Sequence, residues 1–235
     1  MSPFFGEFIG TGLLILLGDG VVANVVLNKT KGNNGGWIVI TFGWAIAVFI
    51  AVFVSSHFSK AHLNPAITVA MAYLENNFSW SDVPDYIGGQ MAGAMAGAFM
   101  VWLNYRLHFN ATADADAKLA VFCTGPAIRN PVTNIIAEIT GTFVLVFGVL
   151  YIAAPSSSLG ALDALPVALV VLGIGLSLGG TTGYAINPAR DLGPRIMHFI
   201  LPIQSKRDSD WNYAWIPVTG PLIGGLIAAL LFKMI

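Results

Sequence analysis

Six apolar stretches, each long enough to cross a lipid bilayer, dominate this chain. The hydrocarbon core of a bilayer is about 30 Å thick, so a spanning helix needs about 20 mostly apolar residues. Only 10% of the 235 residues are charged and 56% are hydrophobic, whereas about 25% of the residues of a typical soluble domain are charged. The chain is therefore predicted to be an all-α integral membrane protein. The predicted spans are 4–27, 37–57, 84–107, 132–154, 162–181 and 212–234.

Two further apolar segments are too short to span, and both begin at an Asn-Pro-Ala triplet. The first covers about 64–74 and the second about 187–200. At about 1.5 Å of rise per residue, the first is about 16 Å long, which is roughly half of the hydrocarbon thickness. Irregular backbone at membrane depth is tolerated only where protein shields it or where it lines a wet cavity. Both segments are therefore predicted to be re-entrant half-helices.

The two halves of the chain repeat each other. A Glu-x-x-Gly-Thr pattern starts at Glu7 and again at Glu138, and each half also carries one Asn-Pro-Ala triplet. Each half holds three spans and one half-helix, and an odd number of spans places the second half upside down relative to the first. The sequence thus predicts one membrane domain built from inverted repeats. The domain covers 1–235, with repeats at about 1–108 and 132–235 joined by the loop 109–131.

The triplets Asn64-Pro65-Ala66 and Asn187-Pro188-Ala189 are suited to begin a helix. Asn caps a helix through its side-chain oxygen, and Pro is tolerated at the first helical position. The amide NH2 groups of both asparagines are then expected to be free as donors. Because inverted half-helices would meet near the midplane, both amides can donate to one passing water or hydroxyl oxygen. This interrupts a proton-conducting chain, while the positive helix ends repel cations.

With these motifs the sequence resembles the aquaporin family, and within it the glycerol facilitators (aquaglyceroporins). The resemblance covers essentially the whole chain and is carried by Ala61–Thr68, by Gly183–Pro194 and by the two Glu-x-x-Gly-Thr helices. Asp191, after the second Asn-Pro-Ala-Arg, is the mark of the glycerol-conducting branch. The resemblance implies the aquaporin fold, one pore in each chain, and a homotetramer in the cell membrane with cytoplasmic termini. The distribution of Lys and Arg alone predicts the reverse orientation.

The resemblance also places the narrowest point of the pore at Trp44, Gly175, Tyr184 and Arg190. Trp44 and Tyr184 would form apolar walls, Arg190 would offer fixed donors, and Gly175 would leave open space. Tyr184 stands where glycerol facilitators usually have Phe, so its hydroxyl either adds a polar contact or points away from the lumen. Backbone carbonyls are expected to supply acceptors opposite the apolar wall. They belong to Ala61, His62, Leu63, Gly183, Tyr184 and Ala185.

Several charged residues lie within or beside the predicted spans. Glu7 and Glu138 would be proton sites in a transporter, but the resemblance implies that they accept hydrogen bonds from the re-entrant loops. Asp191 would hold its half-helix or a neighbouring loop. Asp19 could lie in an outer vestibule, at a subunit contact or at a lipid-facing helix end. Lys60 either reaches into the cytoplasmic vestibule or tunes the entry of acids.

Composition and motifs also separate the classes of function. A net charge of −1 without a basic run argues against a nucleic-acid partner, and the single Cys123 allows no internal disulfide and no cysteine metal site. The four His residues show no metal-binding spacing, so no enzyme, metal or cofactor is expected. The resemblance implies a passive channel for glycerol and other small neutral solutes, with some water and undissociated lactic acid. The alternative is a coupled secondary transporter of a small polar solute, since such carriers also combine inverted repeats with broken helices.

Overall fold

The computed structural model describes residues 2–74, 78–152 and 160–235. None of these residues lies in a β-strand, which confirms the predicted all-α class. Nine α-helices lie within the described ranges. They are α1 (Pro3–Val26), α2 (Trp37–Ser55), α3 (Pro65–Leu74), α4 (Val83–Ala111), α5 (Ala115–Phe122), α6 (Pro131–Ile152), α7 (Leu165–Ser177), α8 (Pro188–Ile200) and α9 (Ile216–Met234).

The six predicted spans correspond to six of these helices. Four of them, α1, α2, α6 and α9, have the length and the apolar composition needed to cross a membrane. The third span is α4, whose 29 residues include several Gly, Ala and polar side chains that lower its hydropathy. The fifth span is α7, which has 13 residues and follows a short 3₁₀ helix at Gly160–Ala164. The prediction of 162–181 is too long because α7 ends at Ser177 and the chain then turns.

The segment predicted as a loop between the halves contains the short helix α5. Asp114 caps its first turn by accepting hydrogen bonds from the backbone N–H groups of Asp116 (2.8 Å) and Ala117 (3.1 Å). Asp116 also forms an ion pair with Arg207, which ties α5 to the segment after α8. The sequence prediction missed α5 because eight residues are too few for a clear helical periodicity.

The helices of the two halves pack in matching pairs. α1 packs along α4 and α6 along α9, while the half-helices cross over, α3 against α9 and α8 against α4. A Cβ atom at Gly93 would collide with the carbonyl oxygen of Phe8, and a Cβ atom at Gly224 with that of Ile139. These two contacts are related by the same offset along the chain as Glu7 and Glu138. Small residues therefore bring the backbones of the paired helices together at equivalent depths.

The α6–α9 contact predicts a difference between two glycine substitutions. Gly224→Ala places a methyl group against the Ile139 carbonyl, and overpacking of this kind costs about 1–3 kcal/mol. Gly173→Ala in α7 is the matched control, because no atom from the rest of the described structure, apart from the adjoining α7 backbone, lies within 4 Å of a Cβ at that position. Thermal unfolding of the purified protein in detergent should show a lower midpoint for Gly224→Ala alone. Equal midpoints for the two variants would contradict this account of the packing.

Candidate functional site

A cavity of about 390 Å³ lies inside the chain, where the segments that precede the two triplets approach each other. The predicted filter residues Trp44, Tyr184 and Arg190 line it, and Gly175 does not. One part of the lining is apolar, and the rest combines polar side chains with loop backbone. The apolar part consists of Leu14, Val48, Val52, Ile67, Met71, Leu145, Val149, Val167 and Val171. The remaining lining residues are Trp44, Lys60, Ala61, His62, Leu63, Asn64, Tyr184, Ala185, Ile186, Asn187 and Arg190.

The two triplet asparagines are bonded reciprocally to the opposite loops. Nδ2 of Asn64 donates to the carbonyl oxygen of Ile186 at 2.8 Å, and Nδ2 of Asn187 donates to that of Leu63 at 2.8 Å. Oδ1 of each Asn accepts a backbone N–H from the first turn of its own half-helix, at 2.9 Å and 3.0 Å respectively. A primary amide has two N–H groups, so each Asn keeps one for a solute. The expectation that both N–H groups are free is wrong, because one of them joins the two halves.

The loops that precede the triplets hold strained backbone. The φ angle is 51° at Ala61, 52° at Leu63, 39° at Tyr184 and 44° at Ile186. Non-glycine residues in this left-handed region cost about 1–3 kcal/mol each and persist only where the surrounding structure holds them. The four residues lie in or directly beside the segments whose carbonyl groups are predicted to act as pore acceptors.

Glu7 holds the first of these loops. Its carboxylate accepts hydrogen bonds from the backbone N–H groups of His62 (3.0 Å) and Leu63 (2.6 Å) and from the hydroxyl group of Ser59 (2.7 Å). The side-chain amide of Gln90 in α4 donates to the same carboxylate at 2.8 Å. Glu7 is fully buried, and this set of donors occupies both of its oxygens. The carboxylate therefore stabilises loop conformation that would otherwise leave backbone donors unpaired.

Glu138 holds the second loop in the same way. It accepts hydrogen bonds from the backbone N–H groups of Ala185 (3.0 Å) and Ile186 (2.8 Å) and from the hydroxyl group of Thr182 (2.7 Å). Glu138 is buried, as Glu7 is. The repeat visible in the sequence thus extends to the hydrogen bonds of the two carboxylates. Both glutamates bind the re-entrant loops, which is the arrangement that the family resemblance implies.

Arg190 is held between an aromatic ring and a buried carboxylate. Its guanidinium lies 4.2 Å from the centroid of the Trp44 ring. Nη1 lies 3.4 Å from Oδ1 of Asp19 and 3.4 Å from the carbonyl oxygen of Phe122. A Cβ atom at Gly18 would overlap the Trp44 ring, so the glycine permits the stack. The sequence left three locations for Asp19: an outer vestibule, a subunit contact or a lipid-facing helix end. None of them is the buried place beside Arg190, and a single sequence contains no signal that pairs Asp19 with Arg190.

The Tyr184 ring lines the cavity, and its hydroxyl lies beside Gly175, which does not line the cavity. The hydroxyl is buried and makes no hydrogen bond within the described part of the chain. A Cβ atom at Gly175 would lie 3.0 Å from Cζ of Tyr184, and a Cβ atom at Gly179 would overlap the same ring. Trp37 packs edge-on against Tyr184 at 5.7 Å and donates from Nε1 to the carbonyl oxygen of Gly175 at 2.9 Å. Gly175 therefore makes room for the tyrosine ring, and it affects the lumen only through that ring.

Asp191 joins its half-helix to the segment after α5. It accepts hydrogen bonds from the backbone N–H and the hydroxyl group of Thr124, both at 2.8 Å. Arg195, one turn further along α8, donates to the same carboxylate from Nε at 2.8 Å and from Nη2 at 3.0 Å. Nη2 of Arg195 also donates to the carbonyl oxygen of Thr124. Arg195 is fully buried, and its i,i+4 spacing from Asp191 is the sequence signal that could have identified the pair.

Known proteins resemble this chain over almost its whole length. The sequence model of the family described as "Major intrinsic protein" matches residues 1–232. The chain is 56% identical over 234 residues to a glycerol uptake facilitator protein of Streptococcus pneumoniae, covering 100% of this chain and 99% of the relative. A D/L-lactic acid transporter of Lactiplantibacillus plantarum is 39% identical, with coverage of 97% and 95%. The X-ray structure of the aquaglyceroporin from Plasmodium falciparum matches with a TM-score of 0.88 and 29% identity over 99% of this chain and 95% of that one.

The environment of Tyr184 predicts that its hydroxyl contributes nothing favourable. Leaving a buried hydroxyl without a partner costs about 1–3 kcal/mol, so Tyr184→Phe should keep or raise the unfolding temperature and leave the relative flux of small uncharged solutes unchanged. Tyr86→Phe is the matched control, because the Tyr86 hydroxyl accepts a hydrogen bond from the backbone N–H of Lys60 at 3.1 Å. That variant should lose about 0.5–1.5 kcal/mol. A changed solute ratio in Tyr184→Phe would show that the hydroxyl reaches the lumen.

Proposed function

The chain belongs to the major intrinsic protein family, and we propose that it is a passive channel for glycerol and other small neutral solutes, with some water. The observation that carries this proposal is the cavity within a single chain. Apolar side chains line one part of it, and Asn64, Asn187, Arg190, Lys60 and the loop residues before the two triplets line the rest. The Streptococcus relative is named a glycerol uptake facilitator and the matching crystal structure is that of an aquaglyceroporin, which supports glycerol as the solute.

The lining suits a molecule that has carbon on one side and hydroxyl groups on the other. The apolar wall and the Trp44 ring take the carbon skeleton. Arg190 and the second N–H of each triplet Asn donate to hydroxyl oxygens, and the carbonyls of 61–63, 184 and 185 accept hydroxyl protons. Gly183, also predicted as an acceptor, does not line the cavity. The Leu63 carbonyl also accepts a hydrogen bond from Asn187, which leaves its second lone pair for a solute.

A coupled carrier is less compatible with the buried carboxylates. Coupling to protons uses intramembrane Asp, Glu or His side chains that gain and lose a proton during transport. Glu7 and Glu138 instead hold strained loops through backbone hydrogen bonds. Removing either carboxylate from its donors would unpair backbone groups at membrane depth, which is costly in the absence of water.

Undissociated lactic acid is the second proposed permeant. A relative that is 39% identical is named a D/L-lactic acid transporter. Lactic acid is close to glycerol in size and combines a hydroxyl and a carboxyl group with a methyl group, so that it matches the same two-sided lining. The lactate anion should be excluded, because placing an unpaired charge at membrane depth is costly.

The assembly and the orientation in the membrane are proposed as well. The chain is a multi-pass membrane protein, and we propose that it forms a homotetramer in the cell membrane with both termini in the cytoplasm. Because the cavity is lined by residues of a single chain, each subunit would carry its own pore. In this orientation the loop after α1 faces outward and the loop after α2 faces inward.

Flux through proteoliposomes tests the channel proposal. Glycerol flux should rise linearly with its gradient and show no trans-stimulation, because the pore needs no conformational cycle. Lactate added at acid pH should cross faster than at alkaline pH, since only the neutral acid passes. Saturation together with trans-stimulation would indicate the carrier, and equal lactate flux at both pH values would refute passage of the neutral acid. Stopped-flow light scattering measures each rate.

Two glycines of α7 provide a matched pair for the same assay. Gly175→Val should displace the Tyr184 ring towards the lumen and lower glycerol flux several-fold, with less effect on the smaller water molecule. Gly173→Val should leave both fluxes unchanged, because no atom of the described residues beyond the adjoining α7 backbone lies within 4 Å of a Cβ at Gly173.

Labelling of engineered cysteines tests the orientation. Lys31 and His57 are exposed in the loops after α1 and α2, so a membrane-impermeant maleimide added to intact cells should label Lys31→Cys and leave His57→Cys unlabelled. The native Cys123 should stay silent, because it is buried and its burial raises the pKa of the thiol, which keeps the reactive thiolate scarce. The opposite labelling pattern would place the termini outside.

A further inference from the structure

We propose that Asp19 is a charge-compensating residue that makes the constriction reject anions, and that it acts through Arg190. This inference rests on the proposed channel function. The ion pair between Asp19 and Arg190, within the pore wall, then distinguishes neutral solutes from carboxylate anions. The guanidinium remains available as a donor to hydroxyl groups, while its net charge is cancelled from behind.

Asp19 lies buried beside Arg190. Its side chain is fully buried in α1, and one of its oxygens, Oδ1, lies 3.4 Å from Nη1 of Arg190. The other oxygen, Oδ2, makes no hydrogen bond to any described residue. Burying a carboxylate is expensive unless a cation lies beside it. Arg190 is the cation within ion-pair distance of Asp19.

The geometry of the contact shows that charge matters more than directed bonding. A separation of 3.4 Å is longer than a strong hydrogen bond between an arginine and a carboxylate, which is about 2.7–2.9 Å. The Trp44 ring and the Phe122 carbonyl also hold the guanidinium in place. Coulomb attraction falls off as the inverse of the distance and is larger in a buried, low-dielectric site, so the pair still interacts at this separation. In its ionised form Asp19 therefore balances the charge of an arginine that other contacts already orient.

The nearby carboxylate of Asp191 does not take over this role. Arg195 donates to it at 2.8 Å and 3.0 Å, and Thr124 donates to it twice more. Two buried arginines thus face two buried aspartates, paired one to one. If the charge of Asp19 is removed, the guanidinium at the constriction is left with an unbalanced positive charge.

An unbalanced guanidinium would change which solutes enter. A positive site in a narrow, poorly hydrated passage attracts carboxylate anions, whereas uncharged glycerol responds little to it. The pair with Asp19 keeps the site neutral, so neither a cation nor an anion gains from entering. Selection for neutral solutes then depends on both partners of the pair.

Lactate flux and glycerol flux at neutral pH, measured in proteoliposomes, test the proposal. Wild-type protein should pass glycerol and exclude lactate. Asp19→Asn, which keeps the shape and removes the charge, should either raise the ratio of lactate flux to glycerol flux about tenfold or make glycerol flux about tenfold more sensitive to inhibition by added lactate. Asp19→Glu retains the charge and should behave as the wild type does. Each ratio is internal to one variant, so a general loss of folded protein does not change it.

The double substitution of Asp19→Asn with Arg190→Gln removes both charges and should restore anion exclusion. It also leaves no buried unpaired charge, so it stays informative if Asp19→Asn alone fails to fold. The proposal is overturned if Asp19→Asn changes neither the ratio of lactate flux to glycerol flux nor the inhibition of glycerol flux by lactate, or if lactate enters through the double variant. If the wild-type protein itself passes no glycerol, the proposed function fails; if it does and Asp19→Asn discriminates as before, the role of Asp19 alone fails.

Discussion

The need to pair every backbone polar group inside a bilayer governs this structure. Hydrocarbon offers no water to an unpaired N–H or carbonyl group, yet two loops and two helix starts lie within the protein at membrane depth. Glu7 and Glu138 accept the backbone N–H groups of these loops. The two triplet asparagines join the loops to each other. A polar passage can exist because buried side chains bind the backbone N–H groups of its loops. The loop carbonyl groups and the Asn N–H groups that these bonds do not use remain available to a solute.

The architecture could be read from the sequence as far as it depends on hydrophobicity and repetition. Spans of about 20 apolar residues and two matching motifs lead directly to six helices, two half-helices and an inverted repeat. Helix ends were less predictable because local contacts decide them. α7 ends at Ser177, before the apolar stretch does. α5 depends on a cap from Asp114 and an ion pair from Asp116 to Arg207, which no periodic pattern announces.

The candidate site, too, was only partly predictable from the sequence. The capping role of each Asn follows from its own neighbours in sequence, and the structure places both caps as expected. The reciprocal bonds between the triplets join residues far apart in the chain and depend on how the halves meet. The orientation of Tyr184 likewise depends on Gly175 and Gly179 in another helix. Tertiary contacts of this kind leave no local trace in a single sequence.

Buried arginines in this protein have partners of opposite charge, as the buried backbone N–H groups of the loops have hydrogen-bond partners. Arg195 is buried with Asp191, and Arg190 at the cavity is buried with Asp19. The first pair is closely bonded and holds a half-helix to its neighbouring segment. The second is looser, and only its Arg190 lines the cavity, while Asp19 lies buried behind it. A close pair favours rigidity because its hydrogen bonds are directed. A loose pair balances charge while leaving donor groups for a solute, which is what a filter for neutral hydroxylated molecules requires.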